Sequence, residues 1–268
     1  MVEGEAHLRD GLRMLPKIFI LVSLIAACGF AGPPTTQPIR GSDDQPLVIH
    51  LPGIGGHRLP DEMIKQGLTQ SGLGAEIYIY DWTGIDEGFA ALTNVGRHGE
   101  QSAIVAKLIT DATTRQSNRR IILTSHSAGA GVAAWALAQL PDGVAVDTWL
   151  MLAPALSPRF DLTPALKHVR GKVYSFNSQR DPILGFGTRN FGTVDRINTD
   201  AAGKVGFERP ATADAEQYAK LMQFAYDAGW MRYYNAGDHI GATMRPFVRQ
   251  IVAPLLITGQ IPSTQPTR

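Results

Sequence analysis

Three side chains far apart along the sequence have the types and spacing needed for nucleophilic chemistry. Ser127 lies in the stretch SHSAG (125–129), directly after an apolar run and before small, helix-compatible residues. A serine hydroxyl becomes an effective nucleophile when a base accepts its proton and an acid orients that base. His239 is the candidate base and Asp181 the candidate acid, because each follows an apolar run late in the chain. Together they could transfer an acyl group through a covalent serine intermediate.

Other carboxyl groups compete with Asp181 for the role of the acid. Asp161 follows the preceding predicted strand, and Asp238 is adjacent to His239, although adjacent side chains rarely point at each other. Asp181 itself precedes a proline, and an Asp-Pro pair also commonly begins a turn. Catalysis and turn formation therefore both stay open for Asp181, with Asp161 as the next candidate.

A glycine-rich loop, PGIGG (52–56), follows the first apolar run. Its main chain could supply the Ile54 N–H, which together with the Ala128 N–H would form an oxyanion hole for a developing negative charge. An inert tight turn is the alternative, because glycines alone show only backbone freedom. A phosphate cradle is less favoured, since Arg58 interrupts the glycine spacing and the sequence holds no G-x-x-x-x-G-K-[ST] run.

The elements that must position these residues alternate between strands and helices, which predicts a parallel sheet wound with helices on both faces. The predicted strands are 47–51, 75–82, 121–124, 146–153, 172–177 and 231–236. The predicted helices are 59–71, 100–113, 131–140, 213–228 and 242–256. In such sheets reactive groups gather at the carboxyl ends of the strands, and every candidate above follows such an end.

Over most of residues 46–256 the chain resembles the alpha/beta hydrolase family. The resemblance rests on the glycine-rich loop, the turn at Ser127, Asp181 and His239, in the family's order of nucleophile, acid and histidine. The chain departs from the family pattern at Ser125, where glycine is usual. The resemblance implies an α/β-hydrolase fold, in which the segment 183–230 is either a lid over the pocket or packed against the sheet.

The resemblance also implies a serine hydrolase that cleaves carboxylic esters of small molecules or lipids and needs no cofactor. Acyl transfer on the same fold and a non-catalytic surface lipoprotein with a hydrolase-like binding domain are the alternatives. A net charge of +1 gives no field that would attract nucleic acid. No HExxH motif or other metal-binding set is evident, so no metal is expected.

The N-terminal region has the features of an export signal. Lys17 precedes an apolar run over residues 18–27, too short to span a bilayer, and the run ends at Cys28 in the sequence IAAC, which looks like a bacterial lipobox. We expect a signal peptide over 1–28, lipidation of Cys28, a tether over 29–45, a hydrolase domain over 46–261 and a disordered tail over 262–268. The protein would be an exported, membrane-anchored lipoprotein or, alternatively, secreted and soluble; Met14 would make a better start than Met1.

Overall fold

The computed structural model describes residues 45–86 and 88–262 of the chain. The expected signal peptide, the lipidated Cys28, nearly all of the tether and most of the tail lie outside the described residues. Within these two ranges, no helix is both long enough and apolar enough to cross a bilayer.

Six strands form one sheet in the order β2-β1-β3-β4-β5-β6, and every neighbouring pair is parallel. The strands are β1 (Leu47–Leu51), β2 (Glu76–Ile79), β3 (Ile121–His126), β4 (Thr148–Leu152), β5 (Val173–Asn177) and β6 (Leu221–Ala225). Because all strands run the same way, the loops that follow them meet at one edge of the sheet. The predicted fold class, an α/β-hydrolase sheet with helices, is confirmed.

Helical segments connect the strands. The α-helices are α1 (Leu59–Thr69), α2 (Phe89–Thr93), α3 (Val95–Arg115), α4 (Gly129–Ala138), α5 (Thr163–Leu166), α6 (Thr188–Phe191), α7 (Ala202–Val205), α8 (Ala215–Tyr218), α9 (Arg245–Phe247) and α10 (Ala253–Thr258). Wider π-helical turns span Ile183–Gly187 and Val248–Val252, and 3₁₀ turns span Ala228–Tyr233 and Gly241–Thr243.

The sheet separates two apolar cores. In β1, Leu47 and Ile49 enter the core shared with α3 and α4, whereas Val48 enters the core shared with α1 and the C-terminal helical segment. This alternation follows from the two-residue period of a strand. Since both faces of β1 are covered, the strand is apolar almost throughout, as buried parallel strands generally are.

The prediction of a helix over 213–228 is wrong, and so is that of a strand over 231–236. A short helix ends at Tyr218, and residues 221–225 then form β6 at the edge of the sheet. Residues 228–233 form a 3₁₀ turn instead of a strand. The spacing of apolar residues around Leu221 resembles a helical period because an edge strand is partly exposed and does not alternate cleanly. Pairing with the open edge of β5 overrides that local pattern.

The segment 183–230 therefore does not lie wholly outside the sheet, since β6 belongs to it. Its first part, beginning with the π-helical turn at Ile183, borders the carboxyl edge of the sheet, and Ile183 lines the cavity described below. The part that could cover a pocket is accordingly shorter than the sequence pattern predicts.

Candidate active site

Ser127 occupies a sharp turn between β3 and α4. Its backbone has φ +53°, a left-handed conformation that is unusual for a residue with a side chain. The Ser127 N–H donates to the carbonyl of Leu152, and the Ser127 carbonyl accepts from the N–H groups of Ala130 and Ala155. These bonds to the next strand and its exit hold the turn in place, so that the hydroxyl lies at the end of the strand and lines a cavity.

Small residues on both sides of Ser127 allow the turn to form. A Cβ at Gly129 would lie 2.4 Å from the Pro52 carbonyl oxygen, so the first turn of α4 packs directly against the main chain at the end of β1. Ser125, the departure from the family pattern, is fully buried and fits because its hydroxyl has partners: it accepts from Trp149 Nε1 and donates to the Leu150 carbonyl.

The three candidate residues form a continuous series of hydrogen bonds. Ser127 Oγ lies 3.0 Å from His239 Nε2, and His239 Nδ1 lies 2.7 Å from Asp181 Oδ2. In the tautomer that suits both contacts, the serine hydroxyl donates to Nε2 and the Nδ1–H donates to the carboxylate. The structure thus brings together residues that are 58 and 112 positions apart in the chain.

Asp181 is held by the start of the π-helical turn that follows β5. Its second oxygen, Oδ1, accepts hydrogen bonds of 2.9 Å from the N–H groups of both Ile183 and Leu184. Burial by itself raises the pKa of this carboxyl, which is 1% exposed, but the neighbouring His239 and the hydrogen bonds bring that pKa below its usual value. The group is therefore a carboxylate at neutral pH and has a fixed orientation toward His239.

The competing carboxyl groups have other partners. Asp161 is exposed, and its Oδ1 accepts from the Thr163 N–H at the start of α5, which is a turn-forming contact. Asp238 is also exposed, and His239 makes its carboxylate contact with Asp181. Of the three acids considered from the sequence, Asp181 is the one whose carboxylate contacts the His239 imidazole.

The glycine-rich loop passes close to Ser127. A Cβ at Gly53 would lie 3.2 Å from the Ser127 Cβ, and Trp82 Nε1 donates to the Pro52 carbonyl, which anchors the loop. Among the described residues, no acceptor bonds to the main-chain N–H of Ile54 or to that of Ala128. Ile54 lines the cavity at the serine, and Ala128 is the N-cap residue of α4, where the helix dipole favours negative charge.

The cavity at Ser127 has a volume of about 110 Å³. Three isoleucines, Ile54, Ile183 and Ile240, contribute apolar walls beside Ser127 and His239. A ligand with an apolar group next to a polar reactive centre would match this lining.

Two polar residues to which the sequence pattern assigns no role in the site line the same cavity. His126 is the last residue of β3, and Asp61 lies in the first turn of α1. Asp61 is buried, with one oxygen 2.9 Å from His50 Nε2 and the other accepting from the Arg58 N–H. Burial raises the pKa of Asp61, but His50, His126 and these hydrogen bonds outweigh it and lower the pKa overall. The sequence signal for Asp61 was a Pro-Asp pair at a helix start, which indicates capping rather than a site.

The described part of the chain contains no cluster of three or more His, Cys, Asp or Glu side chains that could hold a metal ion. The chemistry open to this site is that of a serine, an imidazole and a carboxylate beside two unpaired main-chain N–H groups.

A family model described as the alpha/beta hydrolase family matches residues 48–260. The chain belongs to the alpha/beta hydrolase family. The match includes Ser127, Asp181, His239 and the glycine-rich loop, and family membership supports hydrolase activity. No curated protein matches this α/β hydrolase significantly.

The chain is similar to several solved structures at low sequence identity. Lipase B of Aspergillus fumigatus is 14% identical with a TM-score of 0.52; the match covers 87% of this chain and 56% of the lipase, so this α/β hydrolase spans little more than half of that protein. The esterase domain of a Rhodothermus marinus protein is 15% identical with a TM-score of 0.42, and the match covers 79% of this chain and 87% of the domain. A cutinase-like protein from Cryptococcus sp. is 14% identical with a TM-score of 0.38, at coverages of 82% and 95%.

Proposed function

We propose that this α/β hydrolase cleaves carboxylic esters through an acyl-enzyme formed on Ser127. The observation that carries the proposal is the pair of hydrogen bonds from Ser127 Oγ to His239 and from His239 to Asp181, at 3.0 and 2.7 Å. A serine and an imidazole beyond hydrogen-bonding reach would have favoured the non-catalytic alternative, whereas the observed contact supports an enzyme.

In the proposed reaction, Ser127 Oγ attacks the ester carbonyl carbon while its proton passes to His239 Nε2. Asp181 stabilises the resulting imidazolium, and the N–H groups of Ile54 and Ala128 donate to the oxyanion of the tetrahedral intermediate. His239 then gives the proton to the leaving alcohol as the C–O bond breaks, which leaves the acyl group on the serine. Water, activated by the same imidazole, releases the acid and restores the hydroxyl.

The cavity dimensions favour a short acyl chain. Its volume is about 110 Å³, and an apolar cavity of about 150 Å³ is known to hold one benzene molecule. Acyl groups of roughly two to four carbons fit that space on the same scale. The three isoleucines would contact the methylene groups of the acyl chain.

The test uses the wild-type enzyme, Ser127→Ala and Ser125→Ala. Wild type should hydrolyse p-nitrophenyl acetate and butyrate and react covalently with a fluorophosphonate, and Ser127→Ala should lose both activities. Ser125 is a matched control in the same motif because its hydroxyl bonds to Trp149 and the Leu150 carbonyl instead of His239. Retained labelling in Ser127→Ala, or wild type that neither labels nor turns over any ester, would reject the proposal.

Attachment to a membrane through Cys28 is a second part of the proposed function. It rests on the sequence alone, in which a basic residue precedes a ten-residue run that is apolar except for Ser23, followed by the cysteine. In a bacterial host, wild type should partition with the membrane fraction and Cys28→Ser should not. Equal partitioning of the two proteins would contradict lipidation at this residue.

A further inference from the structure

His126 connects the candidate nucleophile to the segment that carries the candidate base. Its ring centroid lies 5.0 Å from that of His239, and its Nε2 lies 3.2 Å from the His239 main-chain carbonyl oxygen. A carbonyl oxygen only accepts, so Nε2 must carry the proton and donate it. The contact joins residues that are 113 positions apart.

The surroundings of His126 keep its ring uncharged. Three titratable groups face it: His239 across the cavity, Asp61 from α1 and His50 from β1, the last two paired at 2.9 Å. Burial, followed by the proximity of His239, lowers the pKa of His126 to about 4. At neutral pH the ring is therefore a neutral donor beside a group that must itself gain a proton during the proposed reaction.

Because His126 is bonded covalently to Ser127, its contact with the His239 carbonyl links the positions of Ser127 and His239. His126 and Ser127 are consecutive, and the Ser127 N–H is bonded to the Leu152 carbonyl at the end of β4. Asp181 holds the ring of His239, whereas His126 holds its main chain. The same strand end therefore fixes both the serine and the backbone of the histidine that must reach it.

We infer that His126 is a positioning residue, whose Nε2–H holds the His239 main chain so that the imidazole stays within reach of the Ser127 hydroxyl. The inference rests on the proposed function, since it assigns a role in the same reaction. It differs from a packing role because it depends on a donor at one position of the ring. A displacement of about 1 Å at a reacting group costs up to about 10²-fold in rate.

Two amide variants separate the donor from the bulk of the ring. In His126→Gln the amide nitrogen lies near the place of Nε2 and can donate to the His239 carbonyl. In His126→Asn the amide nitrogen lies near the place of Nδ1 and falls short of it. We expect kcat for p-nitrophenyl acetate to fall about 10- to 100-fold in His126→Asn with KM changed less than about threefold, because binding is intact and alignment is lost. His126→Gln should stay within about threefold of wild type.

Melting temperatures and the rate of fluorophosphonate labelling accompany the kinetics. The inference is overturned if both folded variants lose kcat equally, or if His126→Asn keeps wild-type kcat. If His126→Asn does not fold, the comparison of His126→Gln with wild type decides: a loss of tenfold or more in the folded glutamine variant overturns the inference, and a value within threefold supports it. Failure of the proposed function is distinguishable, because wild type would then show neither turnover nor labelling.

Discussion

Replacing Asp181 by asparagine tests the electrostatic part of the proposed mechanism. The carboxylate is 1% exposed and contacts His239 Nδ1 at 2.7 Å, so solvent screens the pair weakly. At a charge separation of about 4 Å and an effective dielectric constant of about 20, the imidazolium loses about 4 kcal/mol of stabilisation. That loss corresponds to about 10³-fold in kcat, since about 1.4 kcal/mol is tenfold.

The hydrogen-bond pattern adds to this loss. The Oδ1 position of Asp181 accepts from the N–H groups of Ile183 and Leu184, so the asparagine oxygen would keep that position and turn its NH₂ group toward His239. Facing a donor, the imidazole would place its proton on Nε2 and could no longer accept from the serine. We therefore expect kcat/KM to fall by at least about 10³-fold.

The assay is hydrolysis of p-nitrophenyl acetate, with Asp161→Asn and Asp238→Asn as controls and the melting temperature recorded for each variant. Both control carboxyl groups are exposed. The kcat/KM values of the two control variants should therefore stay within about threefold of wild type, a change of less than about 1 kcal/mol in the activation barrier. If the folded Asp181→Asn enzyme keeps kcat/KM within tenfold of wild type, the reasoning is refuted. A large loss of kcat/KM in Asp161→Asn would indicate that Asp161 is the acid instead.

Three more predictions concern stability and specificity. Gly129→Ala places a methyl group 2.4 Å from a backbone oxygen and should lower the free energy of unfolding, measured by urea titration, by about 1–3 kcal/mol or more. Gly99→Ala, in the second turn of α3, meets nothing within 4 Å and should raise the free energy of unfolding by about 0.5–1 kcal/mol. The pKa of His126 falls from 6.5 to about 4 on folding, so the unfolded chain binds the extra proton between those values. His126 therefore costs no stability well above pH 6.5, and roughly 3 kcal/mol is lost as the pH falls to 4. His126→Gln should make this slope shallower without removing it, because burial also lowers the pKa of His98. Ile183→Ala enlarges the cavity and should shift the preferred acyl chain toward longer p-nitrophenyl esters, measured as kcat/KM against chain length.

Each of these predictions has an outcome that contradicts it. Equal urea midpoints for the two glycine variants would mean that the helix α4 can shift away from β1. A stability profile of wild type that is flat between pH 6.5 and 4 would mean that His126 accepts its proton without cost in the folded state. An unchanged chain-length profile in Ile183→Ala would place the acyl group elsewhere in the cavity.

The elements with strong local signals could be predicted from the sequence. The first five strands are apolar runs bounded by turn residues, and the structure contains a strand at each of them, although β3 continues to His126, two residues beyond its predicted end. Ser127 was recognisable because its turn requires small residues on both sides, and those requirements appear within five positions. Such features depend on neighbours in the chain, which a sequence displays directly.

The elements that depend on distant partners could not be predicted. The strand leading toward His239 is β6, which ends at Ala225, whereas the sequence pattern predicts a strand over 231–236. His239 still reaches the carboxyl edge because a 3₁₀ turn bridges the remaining distance. Likewise, the bond from His126 to the His239 carbonyl requires the end of β3 to meet the loop that carries His239, and no short motif encodes that meeting.

The left-handed backbone conformation of Ser127 has a consequence for the stability of the fold. A φ of +53° is unfavourable for a residue with a side chain, and the main-chain hydrogen bonds of Ser127 with Leu152, Ala130 and Ala155 compensate for it locally. Glycine would adopt the same backbone conformation at no steric cost, so a serine at this corner makes the fold less stable than it could be. The proposed nucleophilic role would account for that cost.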